Sequence, residues 1–290
     1  MKKAFLLAAI LAALTSCERL ALPGTDTPDS PSSQSQTKPF TFTLKGDFTL
    51  TGFFTRASSQ YMQADGKELT DLWILDIMDG EVIQEKHLTP SDDEWGAPHL
   101  NLKYGTHQIK FLASRGTGAQ KTDAVVTWQK TLDTFYKNYE VTVVSTSNGN
   151  RAVTLDRIAT ALVLTLDDAV PQGITSVSIL PSLKYGGINL LTDELVPSSE
   201  PTTFAFSSQQ TGISGIALNA YWLALSEEYT TDITVTAYKD ADTYTSVTIP
   251  DAPFRANRKT TYHGTLFSST SSSSLTLNAE WLSTYEGGNW

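Results

Sequence analysis

Residues 40–50 read Phe40-Thr41-Phe42-Thr43-Leu44-Lys45-Gly46-Asp47-Phe48-Thr49-Leu50. Apolar and polar side chains alternate over the first six, and Phe48 and Leu50 resume the alternation after Gly46. In an extended chain successive side chains point to opposite faces. The pattern therefore predicts a strand with one buried face, bent or bulged at Gly46-Asp47. Similar stretches recur downstream. Leu72-Trp73-Ile74-Leu75-Asp76-Ile77 reads as a strand, with Asp79-Gly80 as a hairpin turn into Glu81 to Leu88. Gln108 to Leu112, Val125 to Trp128, Tyr139 to Val144 and Ala152 to Leu155 continue the series, while Thr131 to Lys137 reads as a helical turn or an irregular connection. A second series opens near Arg157. It runs through Ile158 to Leu166, Ile174 to Leu180, Ile188 to Leu191, Phe204 to Phe206, Ala217 to Leu225, Ile233 to Tyr238, Thr245 to Ile249, Thr260 to Phe267 and Leu275 to Trp281. Gly, Pro, Asn and Asp clusters separate nearly all of these, and no amphipathic helix of four turns is present. Many short strands with turn signals at this spacing predict an all-β chain built of β-sandwiches. The turn-rich Ser145 to Asn150 stretch before a new strand series predicts two domains, 39–152 and 153–290.

Ahead of the strands lies a different kind of segment. Lys2 and Lys3 form a basic head, Ala4 to Leu14 is an unbroken apolar run, and Leu14-Thr15-Ser16-Cys17 closes it. The run is too short to span a bilayer as a mature helix and reads as a removable signal, 1–16. Small residues before the cut and a thiol after it are what lipoprotein processing requires. Cleavage between Ser16 and Cys17 would leave Cys17 as a lipidated N-terminus. The plainer alternative is a secretory signal beside a chance cysteine, but Cys17 is the sole cysteine of the chain. Residues 17–38 are rich in Pro, Ser, Thr and Asp and cannot bury a core; they read as a flexible tether.

Net charge is −10, and loss of Lys2 and Lys3 makes the mature chain more acidic still. That argues against nucleic acid and against electrostatic docking on anionic lipid, so membrane attachment would rest on the acyl chains. With its one thiol lipidated, the fold has no disulfide, no Cys₄ metal site and no thiol catalysis. Gly116 to Thr122 fails as a phosphate loop because Gln120 stands where the second glycine must precede the lysine. It reads as a hairpin loop. Gly212-Ile213-Ser214-Gly215 lacks the spacing of a nucleophile elbow. His87, His99, His107 and His263 are scattered and read as surface or strand-edge residues rather than ligands. Asp92-Asp93-Glu94 and Asp240-Ala241-Asp242 lack the glycine and bidentate glutamate of a calcium loop and read as solvated acids. No catalytic set, metal site or cofactor site is predicted. Of the six tryptophans, Trp73, Trp128 and Trp222 sit in strand patterns and read as core; Trp95, in the polar Ser91 to Pro98 loop, is the best exposed candidate.

Three stretches together carry a family likeness: Thr55-Arg56-Ala57 after the first strand; Arg157-Ile158-Ala159-Thr160-Ala161-Leu162-Val163-Leu164 leading into Val170-Pro171; and Phe254-Arg255-Ala256-Asn257-Arg258-Lys259-Thr260-Thr261-Tyr262-His263-Gly264. With the lipobox and tether, the chain from about Phe40 resembles the fimbrillin superfamily of Bacteroidetes, subunits of type V pili that include lipid-anchored fimbrial anchor proteins. The resemblance implies two tandem transthyretin-like β-sandwiches, other fimbrial subunits as partners, and cell adhesion at the outer membrane or fimbrium. It also implies assembly by donor-strand exchange, in which a strand of one subunit completes the sheet of the next. Stalk-type relatives are cut by a trypsin-like protease after the first strand, and Arg56-Ala57 stands at that place; the alternative is an ordinary basic loop residue. Leu275, Leu277, Ala279 and Trp281 alternate with polar residues behind the Ser268 to Ser274 tract. They read either as a donated strand or as a strand closing their own domain. A surface lipoprotein that captures a glycan or host ligand on an exposed aromatic face is the rival function, and a β-sandwich hydrolase the less favoured one.

Overall fold

The computed structural model describes residues 36–48, 60–65, 68–268 and 275–277. Ser16, Cys17, Arg56, Ala57, Ala279 and Trp281 lie outside the described residues, as do the signal and most of the tether. The first half contains β1 (Thr37–Gly46), β2 (Gln60–Tyr61), the one-turn helix α1 (Met62–Asp65), β3 (Asp71–Met78), β4 (Glu81–Leu88), β5 (His99–Lys103), β6 (Gly105–Ser114), β7 (Gln120–Thr122), β8 (Val125–Thr127), β9 (Thr134–Val143), β10 (Asn150–Thr154) and β11 (Asp156–Arg157). The second contains β12 (Ala159–Leu166), β13 (Ser176–Pro181), β14 (Tyr185–Asn189), β15 (Leu195–Pro197), β16 (Thr202–Ala205), β17 (Ile216–Leu223), β18 (Tyr229–Lys239), β19 (Asp242–Phe254), β20 (Lys259–Gly264) and β21 (Leu275–Leu277).

Two sheets enclose the first core. One is centred on β1, which runs parallel to β10 on one side and antiparallel to β5 and β2 on the other. The second has the order β11-β9-β6-β3-β4, with the neighbours antiparallel. Phe40, Phe42 and Leu44 from β1 meet Leu72, Ile74, Ile109, Phe111 and Phe135 from this second sheet. Asp79 and Gly80 both adopt positive φ, 54° and 82°, the backbone needed at the two central positions of a tight hairpin turn. Thr134 to Lys137 belongs to β9, paired with β6, instead of forming a helical turn; β-favouring Thr134 and Phe135 are buried in that sheet.

The second half repeats the scheme. Its sheets, of order β21-β20-β12-β17-β14-β8-β7 and β16-β13-β18-β19, enclose a second core that includes Leu162, Leu164, Val177, Ile179, Trp222 and Val235. β12 runs parallel to β20 as β1 runs parallel to β10. In each half, then, the first long strand is laid beside a late one.

Chain order and packing part company at one hairpin. β7 and β8 lie in the first half of the chain, yet β8 pairs with β14, with Val126 opposite Ile188, and so extends the second half's sheet. A third core forms there. It joins Trp73, Leu75, Ile77 and Leu112 of the first half to Val126, Trp128, Ile188, Leu190 and Leu223. β3 is thus buried on both faces, which is why Leu72 to Leu75 form a continuous apolar run where β1 alternates. Buried Lys110 on β6 reaches Asp193 in the β14–β15 turn at 2.5 Å, and Asn138 donates to the same carboxylate at 2.9 Å. The described residues, from Gln36 onward, form one compact unit.

Candidate assembly interface

β1 is an insert more than an edge. Its Phe40, Phe42 and Leu44 side chains are fully buried, with the Phe42 ring 5.3 Å from Phe111 and 6.0 Å from Phe40. Burial of each such side chain contributes about 1.5–3 kcal/mol. The backbone is matched on both flanks. Phe42 and Leu44 donate to the carbonyls of Pro98 and Gly96 at 3.0 and 2.9 Å, and Thr41 donates to Gly149 at 2.7 Å. The loop after β4 therefore completes the sheet between β5 and β2. Gly96 makes that approach possible: its φ is +71°, and a Cβ there would lie 2.5 Å from the Gln63 nitrogen.

At its far end β1 is gripped by a buried charge cluster. Arg157 donates through Nη2 to the Asp47 carbonyl at 2.7 Å, and Arg115 through Nη2 to the Phe48 carbonyl at 3.1 Å. Asp133 lies between the two guanidiniums. It accepts from Arg157 Nε at 2.7 Å and from Arg115 Nη2 at 3.2 Å. Asn257 of the second half accepts from Arg157 Nη1 at 3.0 Å, and the Arg157 guanidinium lies 4.8 Å from the centre of the Phe135 ring. Burial pushes the Asp133 carboxyl up, against the opposing pull of Arg157 and then Arg115. The cluster ties the end of β1, both halves and the start of β9 together at the point where the chain enters the stretch containing Arg56. Sequence reading missed it. Arg115 and Arg157 each follow an apolar strand, a place that reads as the return of the chain to solvent.

At the other end of the chain, β21 is the outermost strand of its sheet. Leu275 and Leu277 sit opposite Gly264 and Tyr262 on β20. Among the described residues three of its positions are paired, all at the sheet's outer edge, whereas β1 is central. Ala279 and Trp281, the rest of that alternation, fall outside the described residues.

The other sequence candidates resolve differently. Trp95 is buried in the first core, not exposed, because the loop turns it inward. The acids around it hold that turn: Asp92 accepts from the Thr89 amide at 2.7 Å, and Glu94 from Lys86 at 2.5 Å and the His99 amide at 3.1 Å. Both carboxyls are held below their ordinary range, Asp92 by Thr89 and Glu94 chiefly by Lys86. His107 is not at a surface or strand edge. It is sealed, with Nδ1 2.6 Å from Asp76 and Nε2 2.9 Å from the Lys103 carbonyl. Asp240 takes a positive φ in the β18–β19 hairpin. Gly116 to Thr122 runs into β7, with Thr117 bridged to Lys130, and no helix follows as a phosphate loop would require. Among the described residues no group of three or more His, Cys, Asp or Glu could hold a metal ion. The most exposed aromatics among them, Tyr61 and Tyr244, stand on different sheets, so they make no aromatic face.

No family model matches the chain, and no curated protein matches it. Solved structures do. One is a candidate adhesin from Bacteroides ovatus, at TM-score 0.52 and 11% identity, covering 79% of this chain and 89% of that one. Another, described as a candidate polysaccharide-binding protein from Bacteroides thetaiotaomicron, reaches TM-score 0.51 at 11% identity, covering 78% and 89%. The fimbrial anchor protein Mfa2 from Porphyromonas gingivalis aligns at TM-score 0.47 and 9% identity, over 79% and 91%. At such identities the likeness is one of architecture: the chain shares its all-β, several-sheet fold with the two Bacteroides structures.

Proposed function

We propose that this chain is a structural cell-surface lipoprotein, an anchor or minor subunit of a fimbrium, that assembles by donor-strand exchange and catalyses no reaction. The observation that carries this reading is β1, a ten-residue strand placed centrally, apolar on one face, and followed closely by Arg56. Take β1 away and two things remain: an apolar trough lined by Phe111 and Phe135, and two flanks of unmatched backbone groups. A strand from another subunit fits such a trough, with backbone hydrogen bonds supplying affinity and alternate side chains supplying specificity. If Arg56 is not cut, β1 stays and the trough is filled from within. Lipid on Cys17 then holds the folded part at the outer membrane through the tether, with the C-terminal strand left as the donor. Partners in this reading are other fimbrial subunits.

The experiment is the intact mass of the mature protein recovered from membranes. A Cys17 N-terminus carrying acyl chains supports the anchor form; an Ala57 N-terminus supports cleavage and an emptied trough. Cys17→Ala should end incorporation of labelled fatty acid and release the protein from the membrane fraction. Continued acyl labelling of that variant would sink the lipoprotein assignment.

A further inference from the structure

We propose that the cleft around Lys184 binds an acidic sugar, reading its carboxylate with the Lys184 ammonium and its ring with the neighbouring tyrosines. This stands independently of the assembly reading. Lys184 lies in the turn between β13 and β14, and only 8% of it is exposed. Its carbonyl is tied to the Ser198 amide at 3.0 Å, which fixes the backbone. Its ammonium is different. Among the described residues no carboxylate forms an ion pair with it and no acceptor hydrogen-bonds it, yet its Nζ is not one of the sealed unpartnered atoms. It therefore keeps contact with open space, and the space that Lys184 borders is two cavities.

One cavity, of about 410 Å³, lies between the Leu180–Lys184 turn, Pro197 to Ser199 and Thr234. The other, of about 260 Å³, is lined in part by Gln129, Tyr185, Glu200, Thr203 and Tyr221. Lys184 and Ser198 border both. An ammonium held in a partly desolvated cleft, with no carboxylate in ion-pair range among the described residues, favours an anion beside it. Burial pulls the Lys184 amine down from its ordinary value, and the exposed rim carboxylate Glu200 offsets only part of this. The walls narrow the choice of anion. Hydroxyls and the Gln129 amide offer hydrogen bonds, while half-buried Tyr185 and Tyr221 add aromatic rings to the lining of the smaller cavity. The volumes lie around the lower end of the range for small-ligand sites, roughly 300 Å³ and upward. A single polyhydroxylated ring bearing one carboxylate has this chemistry.

The test is a titration of the full mature chain with glucuronate, followed by ¹H–¹⁵N spectra, with the indole signals of Trp128 and Trp222 reporting on the smaller cavity. Saturable shifts are expected with glucuronate, at least tenfold weaker ones with glucose, and likewise with acetate. Lys184→Met should abolish the response and, by removing a charge from a mostly desolvated cleft, leave the melting temperature unchanged or higher. Glu200→Gln, at the exposed rim, should tighten binding severalfold, and it decides the matter should the Lys184 variant fail to fold. No saturable response to glucuronate, equal binding by Lys184→Met, or a Glu200→Gln variant no tighter than the parent would overturn the site. Glucose binding as tightly as glucuronate would overturn the role of Lys184. Acetate binding as tightly would overturn the sugar.

Discussion

A chain begun at Ala57 lacks β1, and with it the buried side chains Phe40, Phe42, Leu44 and Phe48. At about 1.5–3 kcal/mol each, these four account for roughly 6–12 kcal/mol of apolar burial. Their removal also strips backbone partners from β10 and β5, and takes away the carbonyls to which Arg115 and Arg157 donate. Whole domains are stable by only about 5–15 kcal/mol, so the first core should not survive this loss unaided. The assay is near-ultraviolet circular dichroism and urea unfolding of the shortened chain, alone and with a synthetic peptide of sequence Thr37 to Gly46. Alone, the chain should lose the native signal of the first core. With peptide it should regain it, as a strand binding in trans. Within the peptide, Phe42→Ala removes a side chain that touches Phe111 and Tyr139, a change costing about 3–5 kcal/mol, so it should weaken binding by roughly two to three and a half orders of magnitude. A shortened chain with an unchanged urea midpoint would refute the reasoning. So would a Phe42→Ala peptide that restores the core as well as the parent.

Three further outcomes are expected. Asp133→Asn removes the carboxylate two buried guanidiniums share, leaving Arg115 with Glu68 at 3.0 Å and Arg157 with Asp47 at 3.5 Å, and should lower stability by about 1.5–3 kcal/mol in urea titration; no measurable loss would show the cluster to be unimportant. Glu94 is held below its ordinary value of 4.5, so its contribution is complete above that value and is lost as pH falls through the lower folded value. The Trp95 indole signal should therefore shift on acidification in the parent and not in Glu94→Gln; an identical acid response in both would sink the pairing with Lys86. Truncation after Ser274 should spare the fold, since the described part of β21 lies at a sheet edge, and should stop co-purification with fimbrial partners. A truncated chain that is unfolded, or that still assembles, ends the donor-strand reading of that segment.

Local pattern alone determined much of this protein. Alternation from Phe40 to Lys45, the apolar run from Leu72 to Ile77 and the Asp79-Gly80 turn were enough to place β1, β3 and the hairpin, because each records a preference of neighbouring residues for an extended or turning backbone. The parallel pairing of β1 with β10 was not legible: a period of two says which face is buried, not which strand lies alongside. Nor was the passage of the β7–β8 hairpin into the second half's sheet, since Val126 needs Ile188 to bury it and only the folded chain brings them together. Trp95 was misread for a related reason. Its neighbours are polar, but they spend their polarity on one another and turn the indole inward. Charges were the least legible of all. Arg115, Arg157 and Lys184 each look solvated in sequence, and all three are buried. The two arginines share Asp133, from elsewhere in the chain, while Lys184, with no ion-pair partner among the described residues, borders a cleft. Whether a charge can be buried depends on what tertiary structure sets against it, and no run of neighbouring residues carries that information.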